Sequence, residues 1–173
     1  MGKGLHPDYY VQKIEELKID FLKARGIKGL IVDLDNTLTP LSSQDLPGMT
    51  QKWLNEVLAS GLSVCIVSNN FEGRVQRFAG IIGIPGISKA VKPRRRAFRQ
   101  ALKLLDLESE QVAVVGDQIF TDVLGGNRLG LTTILVDSLS RKEFIGTKLF
   151  RRIEKLIKRR MIKQGKMLKC QEK

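Results

Sequence analysis

The sequence predicts an α/β fold of the doubly wound kind: a mostly parallel, five-stranded, Rossmann-like sheet with helices on both faces. Three observations carry that expectation. Apolar runs at residues 29–35, 63–68, 87–91, 112–116 and 132–136 are continuous rather than alternating, which marks strands buried on both faces. Segments with helical spacing lie between them, so strand and helix take turns along the chain. Glycine or proline punctuates most joints.

Taken in order, residues 10–23 place Val11, Ile14, Leu17, Phe21 and Leu22 at helical spacing before Gly26, so a helix is expected ahead of the first strand. Residues 29–35 are that strand. Residues 47–59 form a helix with Pro47 near its first turn and Gly61 as its stop. The second strand covers 63–68, and a helix over 72–82 ends near Gly83. A short third strand spans 87–91. A helix over 94–105 follows Pro93, and the fourth strand is 112–116. A short helix over 121–129 stops at Gly130, and 132–136 is the fifth strand. No internal repeat is present.

With 173 residues, 42% hydrophobic and 28% charged, the chain fits one domain with a sizeable core. No apolar run approaches the roughly 20 residues of a membrane span, and the first residues lack the apolar stretch of a signal peptide. The expectation is a cytoplasmic protein, free or peripheral on the inner face of the membrane. Cys65 in an apolar strand and Cys170 in a basic tail lack metal-ligand spacing and suggest no disulfide framework. His6 reads as an exposed residue and Trp53 as a core residue.

The net charge of +12 is uneven: residues 151–173 carry +8 of it, and Lys92, Arg94, Arg95, Arg96 and Arg99 form a second cluster. Such a balance calls for an anionic partner: a lipid surface, a nucleic acid or a phosphorylated macromolecule. Leu149, Phe150, Ile153, Leu156, Ile157 and Met161 keep helical spacing with Arg151, Arg152, Lys155, Lys158 and Arg159 between them. That is a basic amphipathic helix. It can dock on the domain with its charge solvated, lie in a membrane interface, or bind nucleic acid. The expected division is a domain over 1–150 and a basic helix and tail over 151–173.

Polar groups stand at four successive strand ends. They are Asp33 and Asp35; Ser68, Asn69 and Asn70; Lys92 with Pro93; and Gly116, Asp117 and Gln118, followed by Thr121 and Asp122. In a doubly wound sheet they share one edge, where ligands bind. Carboxylates ending an apolar strand are costly to desolvate unless compensated, and a hard cation such as Mg2+, which prefers oxygen ligands, is the natural compensator.

With these residues the chain resembles the haloacid dehalogenase superfamily of phosphohydrolases. The four motifs of that superfamily match at Asp33-x-Asp35-Asn36-Thr37, Ser68, Lys92-Pro93 and Gly116-Asp117-Gln118-x-x-Thr121-Asp122. Their form is similar to subfamily IIIA, within it to the YqeG-like bacterial group related to mitochondrial phosphatidylglycerophosphate phosphatases. The resemblance implies the strand order 5-4-1-2-3. It implies Mg2+ bound by Asp33, Asp117 and the main-chain carbonyl of Asp35. It makes Asp33 the nucleophile that forms an aspartyl-phosphate and Asp35 the acid and base. Thr37, Ser68 and Asn69 would contact the phosphate, and Lys92 would lie beside Asp33 and help keep it ionised. Asp122 would support Lys92 or a metal-bound water.

Many relatives carry a cap domain after motif one or between motifs two and three. Here those gaps hold 32 and 23 residues, enough only for the expected helices, loops and strands. An open site suits a phosphate on something large. Phosphatidylglycerophosphate is the substrate the resemblance points to; other macromolecular or small phosphate esters are the alternatives. A reading from a different class is a basic RNA- or ribosome-binding module with a vestigial site.

Overall fold

The computed structural model describes residues 4–140 and 148–165, without the side chains of residues 148–151 and 154. Its strands are β1 (Tyr9–Tyr10), β2 (Gly29–Val32), β3 (Ser63–Val67), β4 (Gly86–Ile87), β5 (Val112–Gly116) and β6 (Thr132–Leu135). They form one sheet in the order β1-β6-β5-β2-β3-β4, and every pairing is parallel. The inner order is the one the resemblance implies; β1 is an addition at the edge.

That addition corrects the helix expected over 10–23. Tyr9 and Tyr10 pair with Ile134 and Leu135, and only a 3-10 turn at Ile14–Glu16 and a short α1 (Ile19–Lys23) are helical. The edge of β6 offers unpaired amides and carbonyls that must find partners. The amides of Asp8 and Val11 donate to the carbonyls of Thr133 and Leu135 across that edge at 2.9 and 3.0 Å.

The larger helices fall where spacing places them: α2 (Gly48–Ala59), α3 (Glu72–Ile82) and α4 (Arg95–Leu105). Gly83 closes α3 in the left-handed region at φ 77°, a conformation glycine adopts without Cβ strain. The third strand is shorter than 87–91, because Lys89 and Val91 also take positive φ and leave the extended region. The helix expected over 121–129 starts earlier, as a π-helical turn at Ile119–Val123 that runs into α5 (Leu124–Asn127).

Strand side chains alternate between two cores, as the pleat requires. Leu30, Val32, Val64, Ile66, Ala113 and Val115 pack under α2 and α3 with Trp53, Leu54, Val75 and Phe78. Ile31, Cys65, Val67, Val112 and Val114 pack under α4 with Phe98 and Ala101. Trp53 is a core residue, its indole N–H donating to the Leu17 carbonyl at 2.9 Å, and His6 is exposed. Cys65 is fully buried, and burial pushes its thiol up to about 12.

A third apolar cluster joins α6 (Lys148–Lys163) to the sheet edge. Ile153, Ile157 and Met161 meet Tyr10, Ile119, Val123 and Leu135, while Leu156 stays 69% exposed. Lys158 Nζ reaches Asp137 Oδ1 at 2.7 Å. The side chains of Leu149, Phe150 and Arg151, and Cys170 with the last residues of the tail, lie outside the described residues. No described helix is long and apolar enough to cross a membrane.

Candidate active site

The register of the central strands brings the predicted residues together. Val32 lies opposite Val115, and the Asp33 amide donates to the Val115 carbonyl at 2.9 Å. The chain beyond β2 and the chain beyond β5 therefore emerge side by side. One carboxylate oxygen from each of Asp33, Asp117 and Asp122 lies within 4.8 Å of the others, and all three residues are buried.

Lys92 enters this group from the loop after β4. Its Nζ is 2.5 Å from Asp33 Oδ1 and 2.6 Å from Asp122 Oδ1. Burial works against the ammonium, but the charges of Asp122 and Asp33 outweigh it and hold the lysine above its ordinary value. The loop is braced through Asn69, whose side-chain oxygen accepts the Lys92 amide at 2.7 Å. Both oxygens of Asp122 are engaged: Oδ1 meets Lys92 and Oδ2 accepts the Gln118 amide at 3.2 Å. Gly116 allows that fold-back, since any Cβ there would collide with the Asp122 carboxylate.

Burial is the dominant influence on Asp33 and pushes it up to about 7, with Lys92 opposing and Asp122 adding to the rise. Lys92 by itself thus does not hold Asp33 in the ordinary carboxylate range; the sequence expectation pairs Lys92 with Mg2+ in that task. Burial, then the charges of Asp33 and Asp122, hold Asp117 well above its ordinary value. Asp117 Oδ2 is buried without a hydrogen-bond partner. Three carboxylates against one ammonium leave a formal excess of two negative charges. A divalent cation with oxygen ligands fits that donor set.

Asp35 stands apart from the trio. The carboxylate turns toward the other side of the loop, where Ser68 Oγ and Asn70 Nδ2 donate to Oδ2 at 3.2 and 2.9 Å. Arg74 Nε donates to Oδ1 at 2.8 Å. Of about four lone-pair directions on a carboxylate, these leave one at Oδ1 for a proton. The side chain of Asp35 is therefore no member of the carboxylate trio.

The turn that follows these aspartates is set by Asn36. It takes φ 62°, its amide donates to the Thr39 carbonyl at 2.7 Å and its side-chain oxygen accepts the Leu41 amide at 3.2 Å. Thr37 is 1% exposed, with Oγ1 at 3.5 Å from Asp33 Oδ2 and 3.4 Å from Asp117 Oδ1. Ser68 is likewise buried, whereas Asn69 is exposed.

The residue that sequence reasoning missed is Arg74. It is 6% exposed and bridges Asp35 to the Ser43 and Pro40 carbonyls through Nη1 and Nη2 at 2.7 and 3.0 Å. The available signal was its place beside Val75, Phe78 and Ala79 on the buried face of α3, where arginine is rare without a partner.

The architecture and the site are those of a haloacid dehalogenase-like hydrolase. A HAD-hydrolase-like family model matches residues 90–143, and a mitochondrial PGP phosphatase model matches residues 3–78. The protein named "Probable phosphatase YqeG" of Bacillus subtilis (strain 168) is 40% identical over 165 residues, covering 95% of this chain and 96% of its own length. The chloroplastic/mitochondrial phosphatidylglycerophosphate phosphatase 1 of Arabidopsis thaliana is 29% identical over 92% of this chain. The chain spans 49% of that plant protein. A solved structure of the cobalt-bound deoxy-D-mannose-octulosonate 8-phosphate phosphatase from Haemophilus influenzae shares the fold, with a TM-score of 0.52 and 17% identity. That likeness covers 83% of this chain and 92% of that one. The chain belongs to the haloacid dehalogenase-like phosphatases.

Proposed function

We propose that this phosphatase is a Mg2+-dependent phosphomonoesterase that works through an aspartyl-phosphate on Asp33 and takes phosphatidylglycerophosphate as substrate. The observation that carries the reading is the buried trio of Asp33, Asp117 and Asp122 with Lys92 Nζ 2.5 Å from Asp33. Asp33 and Asp117 would hold the ion, with the main-chain carbonyl of Asp35. Bound there, Mg2+ supplies positive charge that offsets the phosphoryl oxygens and the surplus carboxylate charge. Asp122, with both oxygens engaged, steadies Lys92.

The Asp33 carboxylate attacks phosphorus and the ester P–O bond breaks. The departing oxygen takes its proton from Asp35. Water then attacks the aspartyl-phosphate and gives its proton back to Asp35. Inorganic phosphate leaves and Asp33 is restored. Lys92 and Thr37 face phosphoryl oxygens, Ser68 holds Asp35 through its hydroxyl while its main chain borders the phosphoryl site, and Asn69 adds its side-chain NH2 while holding the Lys92 loop. The lipid substrate is supported by the PGP phosphatase model over residues 3–78 and by the plant relative. It is also supported by the lack of an inserted cap among the described residues. The intact, buried arrangement argues against a vestigial site.

The test is phosphate release from phosphatidylglycerophosphate, a nucleoside monophosphate and a sugar phosphate, with Mg2+ or with a chelator. We expect the lipid to lead in kcat/KM, chelation to stop turnover, and Asp33→Asn to lower kcat by about three orders of magnitude or more. Preference for another ester would overturn the substrate. A wild type inert on all three with Mg2+ would overturn the mechanism.

A further inference from the structure

Three apolar side chains of α6, Ile153, Ile157 and Met161, are already used inside the protein. Ile157 and Met161 are 6% and 2% exposed against the sheet edge, so that face is not available to a bilayer. Other exposed apolar side chains stand beside the chemistry. Phe71 is 61% exposed and follows Asn70, whose amide holds Asp35. Val91 is 52% exposed and precedes Lys92, whose ammonium holds Asp33. The Lys89 amide donates to the Asn70 carbonyl at 2.9 Å, and the Lys92 amide to Asn69 Oδ1 at 2.7 Å. These bonds tie the two loops together, so Phe71 and Val91 stand on joined loops at the catalytic edge, which we take as the entrance.

Val91 is there at a cost. It is β-branched yet takes φ 52°, a left-handed conformation such residues rarely adopt, and the result is an aliphatic side chain in water. The Arg94 amide then bonds back to the Val91 carbonyl at 3.0 Å, and Arg94, Arg95 and Arg96 are all exposed at the start of α4. Residues 69–99 contain eight Lys/Arg and a single acid, Glu72. Arg74 and Lys92 turn inward to Asp35 and Asp33. The three arginines of the entrance have no carboxylate partner among the described residues.

We infer that the entrance of the active site is a membrane-docking face, on which Phe71 and Val91 enter the interface of an anionic bilayer and Arg94, Arg95 and Arg96 bind its phosphates. The inference deepens the lipid-phosphatase reading by assigning docking to the catalytic edge rather than to the basic helix. Paired apolar tips ringed by cations suit a surface that is anionic outside and apolar just beneath. Nucleic acid would call for aromatic platforms along the charged path, and the entrance has one aromatic beside an aliphatic residue.

The test is flotation with vesicles of phosphatidylcholine alone and of phosphatidylcholine mixed equally with phosphatidylglycerol, using Asp33→Asn so that binding is read without turnover. That background separates a failure of docking from a failure of the phosphatase reading, which the assay above addresses. We expect binding to the anionic vesicles only. Replacing Arg94, Arg95 and Arg96 together by Gln should weaken it by about a hundredfold, and Phe71→Ser with Val91→Ser should weaken it further. Replacing the exposed Lys155, Arg159 and Arg160 of α6 by Gln should change it only a few-fold. All the substituted side chains are exposed, and an unchanged thermal midpoint checks folding. The inference is overturned if the α6 variant loses binding while the entrance variants keep it. It is equally overturned if the parent protein ignores anionic vesicles or is held by single-stranded RNA instead.

Discussion

Asp33 and Asp35 are two residues apart in the chain and face different cations. Lys92 is a compact ammonium set between Asp33 and Asp122. Arg74 is a planar fork that spans Asp35 and two main-chain carbonyls, a geometry lysine cannot copy. Arg74 is thus a positioning residue for Asp35. Arg74→Ala should lower kcat on an alkyl phosphate about 10- to 100-fold. The loss should be much smaller on dinitrophenyl phosphate, whose leaving group needs no proton, whereas a purely structural loss would lower both alike. Arg74→Lys should recover little. The strand-end residues were legible because each type recurs at a fixed place in a chemical pattern. Arg74 was not, because its place on the apolar face of α3 signals burial but not which carboxylate it meets.

Among the elements, α3 was legible to the residue, since apolar spacing and Gly83 define both its buried face and its end. The segment ahead of β2 was not. Its helical spacing is real, yet the free edge of β6 competes for the backbone of Tyr9 and Tyr10, and no local pattern reports a vacant edge. The basic helix was legible as a helix, but its choice among protein, membrane and nucleic acid was open until Ile157 and Met161 were found against Tyr10 and Leu135. Met161→Ala should therefore cost about 2–3 kcal/mol in urea unfolding. Leu156→Ala, on the exposed face, should change stability by no more than about 0.5 kcal/mol. Equal effects would mean that α6 does not dock as described.

For the whole molecule, the free energy of the fold is tied to the charge at its catalytic edge. The metal-free protein buries more carboxylate than one lysine can balance, with Asp117 Oδ2 unpaired. Mg2+ at about a hundred times its dissociation constant should add about 2.7 kcal/mol and raise the thermal midpoint. Asp117→Asn should abolish that rise while making the metal-free protein no less stable, because it removes an uncompensated buried charge. A midpoint indifferent to Mg2+ in the wild type, or an Asp117→Asn variant that still responds, would separate stability from the trio.

The sheet edge carries one more consequence. The Tyr10 hydroxyl donates to Asp137 Oδ2 at 2.9 Å, Lys158 binds the other oxygen of Asp137, and α6 covers the ring. The earliest and latest described elements thus fasten at a single tyrosine. During synthesis the earlier strands can pair before α6 exists, but Tyr10 gains its cover only when α6, the last described helix, has left the exit tunnel. Until then the nascent chain presents a short, uncovered strand, the kind of surface that chaperones shield and other chains extend.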